Sequence, residues 1–252
     1  MSYIQHNRET IARWVAQGWE WSIPMNYADF VRAKAGDYRL LLTPTCPVPP
    51  DWFGNVAGKR VLALASGGGQ QGPLLTALGA KVTVFDFSKE QLEKDREVAE
   101  REGYVIELIE GDMTQPLPFG DARFDMIVHP VSNCYIEQVE PVWRECARVL
   151  RPGGLLLAGL DNGINFIVDD DEERIVTALP FNSLRYPEDL ARCQAWDGGY
   201  QFSHSIDEQI GGQLRAGFEL LDLYEDINNS GRLHTLRIPT FWATLARKGT
   251  RR

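Results

Sequence analysis

The sequence predicts an α/β fold: a doubly wound, mostly parallel sheet with an antiparallel C-terminal strand, plus an N-terminal helical cap and an inserted lid. Three observations carry this. Apolar, β-branched runs alternate with helical stretches between residues 60 and 160. Four of the five runs end at a glycine cluster or an acid, the punctuation of strands whose tips face a ligand. The length, 252 residues, suits one large α/β domain with additions rather than several domains.

Residues 1–54 are expected to form the cap and a linker. They are rich in Trp and Tyr, and segments 4–19 and 27–42 read as helices broken at Pro24. Pro47, Pro49 and Pro50 suggest an extended linker. The main domain then occupies residues 55–252.

Residues 60–65 form an apolar run of buried-strand character, followed at once by glycines. A helix over 72–78 leads to a strand at 81–85 that ends at Asp86. Ser88 is a suitable N-cap, and Gln91 three residues later completes a capping box for a helix running to about residue 101. Strands are expected at 105–109, followed by Gly111-Asp112-Met113, and at 124–128. Pro141 opens a helix over 141–150, Arg151-Pro152-Gly153-Gly154 stops it, and a fifth strand covers 155–160.

The alternation then breaks. Residues 162–205 are long, polar and irregular and read as a lid insertion. Their acid run, Asp169-Asp170-Asp171-Glu172-Glu173, reads as a solvated helix start, so no metal site is expected. A helix over 206–215 precedes two last strands, 218–224 and 240–246.

Composition narrows the function. A formal net charge of −9, with no Lys/Arg run, argues against a nucleic-acid partner, which needs a basic face. Four cysteines without a C-x-x-C pair suggest reduced thiols. No apolar stretch approaches the roughly 20 residues of a membrane span, and the first 17 residues lack a signal-peptide core. A cytoplasmic protein without membrane contact is expected; a homodimer is left open.

The glycine loop carries the chemistry. A buried strand running straight into Gly67-Gly68-Gly69 brings backbone close to a ligand, at the amino end of the next helix. Asp86, about twenty residues on, suits a ribose diol. An adenosine-containing ligand follows. Gly67-x-Gly69-x-x-Gly72 also satisfies the dinucleotide fingerprint, so an NAD(P)-dependent oxidoreductase is one alternative, although no Tyr-x-x-x-Lys appears. Asp112 with Met113 favours another ligand, since this pair can meet an adenine edge.

From these residues the chain resembles the class I S-adenosyl-L-methionine (SAM)-dependent methyltransferases over about residues 56–160. The resemblance implies a Rossmann-like fold, SAM as cofactor, and a small-molecule methyl acceptor. It carries over Gly67 and Gly69 as the motif glycines, Asp86 as the ribose acid, Phe87 as the residue flanking adenine, and Asp112 and Met113 as the adenine-edge pair. Ala63 stands where an acid is usual and Ala65 where the first glycine is usual. Ser66, Gln70 or Gln71 would then replace the missing acid by hydrogen bonding. A SAM-binding protein without catalysis stays as a second alternative.

The segment after the fourth strand should line the space beside the methyl group. His129 is expected near the cofactor and as a base, although a buried histidine is more often structural; Tyr135 is the other catalytic candidate. Asn133, Tyr135, Trp21 and His204 are the expected acceptor contacts, with His204 a second candidate base. The N-terminal aromatics Trp14, Trp19, Trp21 and Tyr27 suit a pocket wall. His129-Pro130-Val131-Ser132 does not match the Asn/Asp-Pro-Pro-aromatic motif of amino-methylating DNA enzymes.

Overall fold

The computed structural model describes residues 2–250; the outer limits expected above, residues 1 and 252, fall outside them. The sheet begins with the interior strand β1 (Arg60–Leu64), whose Val61, Leu62, Ala63 and Leu64 are fully buried. A strand covered on both faces needs no polar alternation, which is why this run reads as continuously apolar. After β1 come α3 (Gln71–Ala77), β2 (Lys81–Asp86), α4 (Lys89–Glu102), β3 (Glu107–Glu110) and β4 (Phe124–His129), then α5 (Glu140–Val149) and β5 (Leu150–Asp161). Ahead of them lie α1 (Tyr3–Ala16) and α2 (Tyr27–Lys34).

The insertion carries α6 (Ile164–Ile167) and α7 (Pro187–Ala195). A π-helical turn over Asp207–Gly211 runs into α8 (Gly212–Arg215), and β6 (Phe218–Asp226), α9 (Gly231–Thr235) and β7 (Phe241–Lys248) finish the chain.

The seven strands lie in the order β3-β2-β1-β4-β5-β7-β6. β1 to β5 are mutually parallel and β7 is antiparallel to both its neighbours. The chain builds outward from β1 to β3, then crosses to β4 on the other side. The crevice at that reversal, beyond the carboxyl ends of β1 and β4, is where such sheets take ligands. Alternate side chains of the strands feed two cores. Leu62, Leu64 and Ile127 pack with Val142, Trp143 and Cys146 of α5. Val61, Ala63 and Val128 pack with Leu74 and Leu75 of α3 and Leu92 of α4.

Several local expectations change. The second cap helix stops at Lys34 instead of residue 42, because Gly36 turns left-handed at φ +89° and Asp37 N–H donates back to Arg32 O at 3.0 Å. The Pro-rich stretch is no free linker: Val48, Trp52 and Phe53 are buried in the sheet core. Asp226 at the end of β6 accepts from Thr45 N–H at 2.8 Å and Cys46 N–H at 2.9 Å, and Trp52 Nε1 donates to Asp222 at 2.9 Å.

Ser88 caps α4 through Gln91 N–H at 3.2 Å, but the reciprocal half of the capping box is missing. Ser88 N–H goes to Asp86 instead, and the Gln91 amide reaches Trp21 O. β3 begins at Glu107, and Val105 is 98% exposed in the preceding loop.

The acid run 169–173 is a tight turn rather than a helix start. It joins bridged Val168 and Ile175, with Glu172 at φ +55° and Asp169 Oδ1 accepting from Glu173 and Arg174 N–H groups. The insertion has a small core of its own, Phe166, Phe181 and Cys193, against Cys134. It is hooked to α1 by Asn7, which donates to Tyr200 O at 2.9 Å and Tyr135 O at 3.3 Å and accepts from Tyr200 N–H at 2.7 Å.

Candidate active site at the strand tips

The loop after β1 is shaped by one acid. Asp86, the last residue of β2, accepts from Gly67 N–H through Oδ2 and from Ser88 N–H through Oδ1, both at 2.9 Å. It thereby ties the glycine loop to the start of α4. A Cβ at Gly67 would lie 2.7 Å from Gln91 Cβ and 3.1 Å from Asp86 Oδ2, so only glycine fits. Ala65 takes φ +47°, a left-handed conformation that favours the glycine usual there, and its N–H donates to Phe85 O at 2.7 Å.

Burial pushes the Asp86 carboxyl up to about 6, against the pull of the N–H groups of Ser88, Gly67 and Phe87. Behind the loop, Asp95 of α4 accepts from Gly69 N–H at 3.1 Å. Burial pushes Asp95 up to about 8, with the Asp86 charge adding to the rise.

A cavity of about 270 Å³ opens over these tips. Ala65, Ser66, Gly67 and Gln71 line it beyond β1, with Asp86 and Phe87 beyond β2 and Asp112 and Met113 beyond β3. Tyr135, with Ser132 and Cys134, lines the side beyond β4. Trp19 and Trp21 wall it from the cap, as do Ile4 and Ile11 of α1. Gln71 is oriented by its own amide bond to Leu41 O at 3.2 Å and receives the Ser66 hydroxyl at 3.3 Å.

The cap lies directly on the glycine loop. Met25 N–H donates to Gly69 O at 2.8 Å, and Gln70 Nε2 donates to Glu20 O and Ile23 O. Trp21 O stands where a Cβ on Gly68 would be, 2.2 Å away, and Gly68 takes φ +112°.

Six expected residues stand off the cavity wall: Trp14, Tyr27, Gly69, His129, Asn133 and His204. Trp14 packs behind Trp19, and Tyr27 is exposed. Gly69 faces α4 and Pro24, where a Cβ would meet Lys94 O at 2.7 Å. His129 is fully buried, with Nδ1 2.9 Å from Leu64 O and Nε2 2.9 Å from the Asn133 side chain. Burial lowers its pKa, against the pull of the bonds to Leu64 and Asn133. Asn133 also donates to Gln209 at 2.9 Å. His204 Nε2 lies 3.0 Å from both Asn133 O and Ile136 O, and burial lowers its pKa too. Both rings therefore knit the turn after β4 to its neighbours. Asp125 likewise serves locally, pairing with Arg151 at 2.7 Å.

The sequence reading passed over Thr43, Phe241 and Asp161, all of which line the cavity. Thr43 and Phe241 carried no signal. Asp161 did: it is the acid that ends an apolar strand, the feature that singled out Asp86.

A family model described as a methyltransferase domain matches residues 62–158, the stretch from β1 into β5. Over 230 residues the chain is 41% identical to the uncharacterized methyltransferase YbaJ of Bacillus subtilis (strain 168), covering 88% of this chain and 90% of that one. The chain belongs to the class I SAM-dependent methyltransferases. SAM is the cofactor of this methyltransferase, and the oxidoreductase alternative falls away.

The methyltransferase shares its fold with an S-adenosylmethionine-dependent methyltransferase from Mesorhizobium loti, at TM-score 0.63 and 18% identity over 79% of this chain and 94% of that one. It is also 36% identical over 102 residues to a demethylmenaquinone methyltransferase of Clavibacter sepedonicus, 40% of this chain and 41% of that one. Among the described residues no helix is long and apolar enough to cross a membrane.

Proposed function

We propose that this methyltransferase acts on a small-molecule acceptor bound at the β4–β5 end of the cavity, with residues 1–54 as a cap and 162–205 as a lid. The observation that carries this is the shape of the space. One cavity of about 270 Å³ runs from Asp86 to Asp161 and is walled by side chains of α1 and the segment after it. A covered pocket suits a small molecule, and a net charge of −9 opposes a polyanion.

The residues present fit SAM. Gly67 brings backbone to the cavity wall, Asp86 is a buried acceptor for ribose hydroxyls, and Phe87 and Met113 offer apolar faces for adenine. Asp112 would take the adenine amine, while Ser66 and Gln71 would hold the amino-acid end. SAM supplies an activated methyl carbon. The chain's own work is then to orient the acceptor and to exclude water, through Tyr135 on one side and Trp19 and Trp21 on the other.

Calorimetry tests the first half: SAM and S-adenosylhomocysteine should bind, and NAD should not. Incubation with [methyl-³H]SAM and a cell extract tests the second. Label should enter the small-molecule fraction; label confined to protein or nucleic acid would overturn the small-molecule assignment.

A further inference from the structure

The end of the cavity away from Asp86 is built on the tip of β5. Strands in a sheet lie about 4.8 Å apart, so Asp161 stands roughly 10 Å across the sheet from the loop after β1, with β4 between them. It ends β5 and pairs through its backbone with Phe241 of β7. The side chain is 6% exposed yet belongs to the cavity wall, beside Cys134 and Tyr135. Oδ1 accepts from Gly163 N–H at 2.6 Å, and the Asn165 amide lies beside the carboxylate. These are the groups that favour its charge, and neither is a cation. Ile4, Ile11, Val131, Ile136 and Phe241 add apolar side chains to the cavity wall. A buried carboxylate without a cation costs several kcal/mol, and an asparagine would serve Gly163 as well.

We infer that Asp161 is a catalytic residue: it accepts the proton of an acceptor whose nucleophile is a hydroxyl or an amine nitrogen. This rests on the small-molecule reading above. The acceptor's lone pair forms the new bond to the methyl carbon. The carbon–sulfur bond breaks with its electron pair left on sulfur, and the acceptor's proton passes to the Asp161 carboxylate, which becomes a neutral acid. Water takes that proton after product leaves.

The neighbours make this assignment specific. His129 has both ring nitrogens held, by Leu64 and Asn133, and His204, whose Nε2 faces Asn133 O and Ile136 O, stands off the cavity wall. Burial raises the Tyr135 phenol well above its ordinary value, so it stays protonated and cannot take the proton. The Cys134 thiol is pushed up likewise. Asn165 and Gln209, which faces the Asp161 carbonyl, do not titrate. Burial raises the Asp161 carboxyl to about 7, the range in which a general base works best at neutral pH.

The test uses the full chain and Asp161→Asn, which keeps an acceptor for Gly163 N–H. With S-adenosylhomocysteine bound, ¹³C NMR of carboxyl-labelled aspartates should show one resonance with a midpoint near pH 7 that is absent from the variant. With saturating [methyl-³H]SAM and the small-molecule extract, Asp161→Asn should label product at least 100-fold more slowly. The wild-type rise in rate through pH 7 should vanish, while S-adenosylhomocysteine affinity stays within twofold. The label should sit on oxygen or nitrogen.

Equal rates, an unchanged pH profile, or label on carbon or sulfur would overturn the role of Asp161 and leave the small-molecule reading standing. No small-molecule product from wild type overturns both. Should Asp161→Asn fail to fold, Asp161→Ser and the backbone-assigned wild-type titration decide in its place, and a midpoint below 5 overturns the inference.

Discussion

Asp86→Ala separates what this acid does for the fold from what it does for the cofactor. In the fold it accepts two N–H bonds of 2.9 Å, from Gly67 and Ser88. Leaving a buried donor unpaired costs about 1–3 kcal/mol each. Against this, raising the carboxyl from 3.8 to about 6 already costs the folded state about 3 kcal/mol at neutral pH. The two effects oppose, so the apoprotein should lose no more than about 3 kcal/mol.

No such compensation exists for the ligand. Each charge-assisted bond to a ribose hydroxyl is worth about 1.5–3 kcal/mol. Calorimetric titration with S-adenosylhomocysteine should show affinity at least tenfold weaker. In wild type the ionised carboxylate is the better acceptor. Affinity should therefore fall as pH drops through about 6, by up to tenfold per pH unit. An alanine variant within threefold of wild type, together with flat wild-type affinity from pH 5 to 8, would remove Asp86 from the cofactor site.

Three further outcomes are expected. Gly68→Ala places a Cβ against Trp21 O and asks a non-glycine to hold φ +112°, so residues 19–25 should lift from the loop; limited proteolysis there should speed up, and unchanged cleavage refutes the contact. Asp95 binds a proton more tightly in the folded state than in the unfolded one, so its contribution favours acid pH and is lost as pH rises towards about 8; between pH 5 and 7.5, urea unfolding should show wild type losing about 3 kcal/mol more than Asp95→Asn. His129→Phe strands Leu64 O and the Asn133 amide and should lower stability by about 2–4 kcal/mol, with S-adenosylhomocysteine affinity within threefold of wild type; a large loss of affinity would return His129 to the site.

The parallel sheet was legible because its strands are buried on both faces and so spell themselves as unbroken apolar runs, with tips marked by Asp86 and by Gly111-Asp112. Periodicity in the cap was misleading, since Tyr38, Leu40 and Leu42 continue an apolar pattern after the helix has already ended at Gly36. The two histidines were illegible for a different reason. A ring's role depends on what its nitrogens touch, and the pairings that decide it join distant stretches: His129 to residue 64, and His204 to the turn of residues 133 and 136. Ala63, noted for the acid it replaces, faces the α3 side of the sheet among Val61, Leu74 and Leu75, where a glutamate would bury its charge in hydrocarbon.

Asn7 has a practical consequence. Through one amide it joins the first helix to a strand-like stretch 193 positions later and to the turn carrying Tyr135. The opening helix and the inserted segment thus form two leaves of one cover, joined also by Arg13 and Trp14 to Asp197 and by Tyr3 to Phe202. Trimming the first dozen residues for crystallisation, or splicing a rigid partner onto them, would disturb the wall of the cavity at the strand tips.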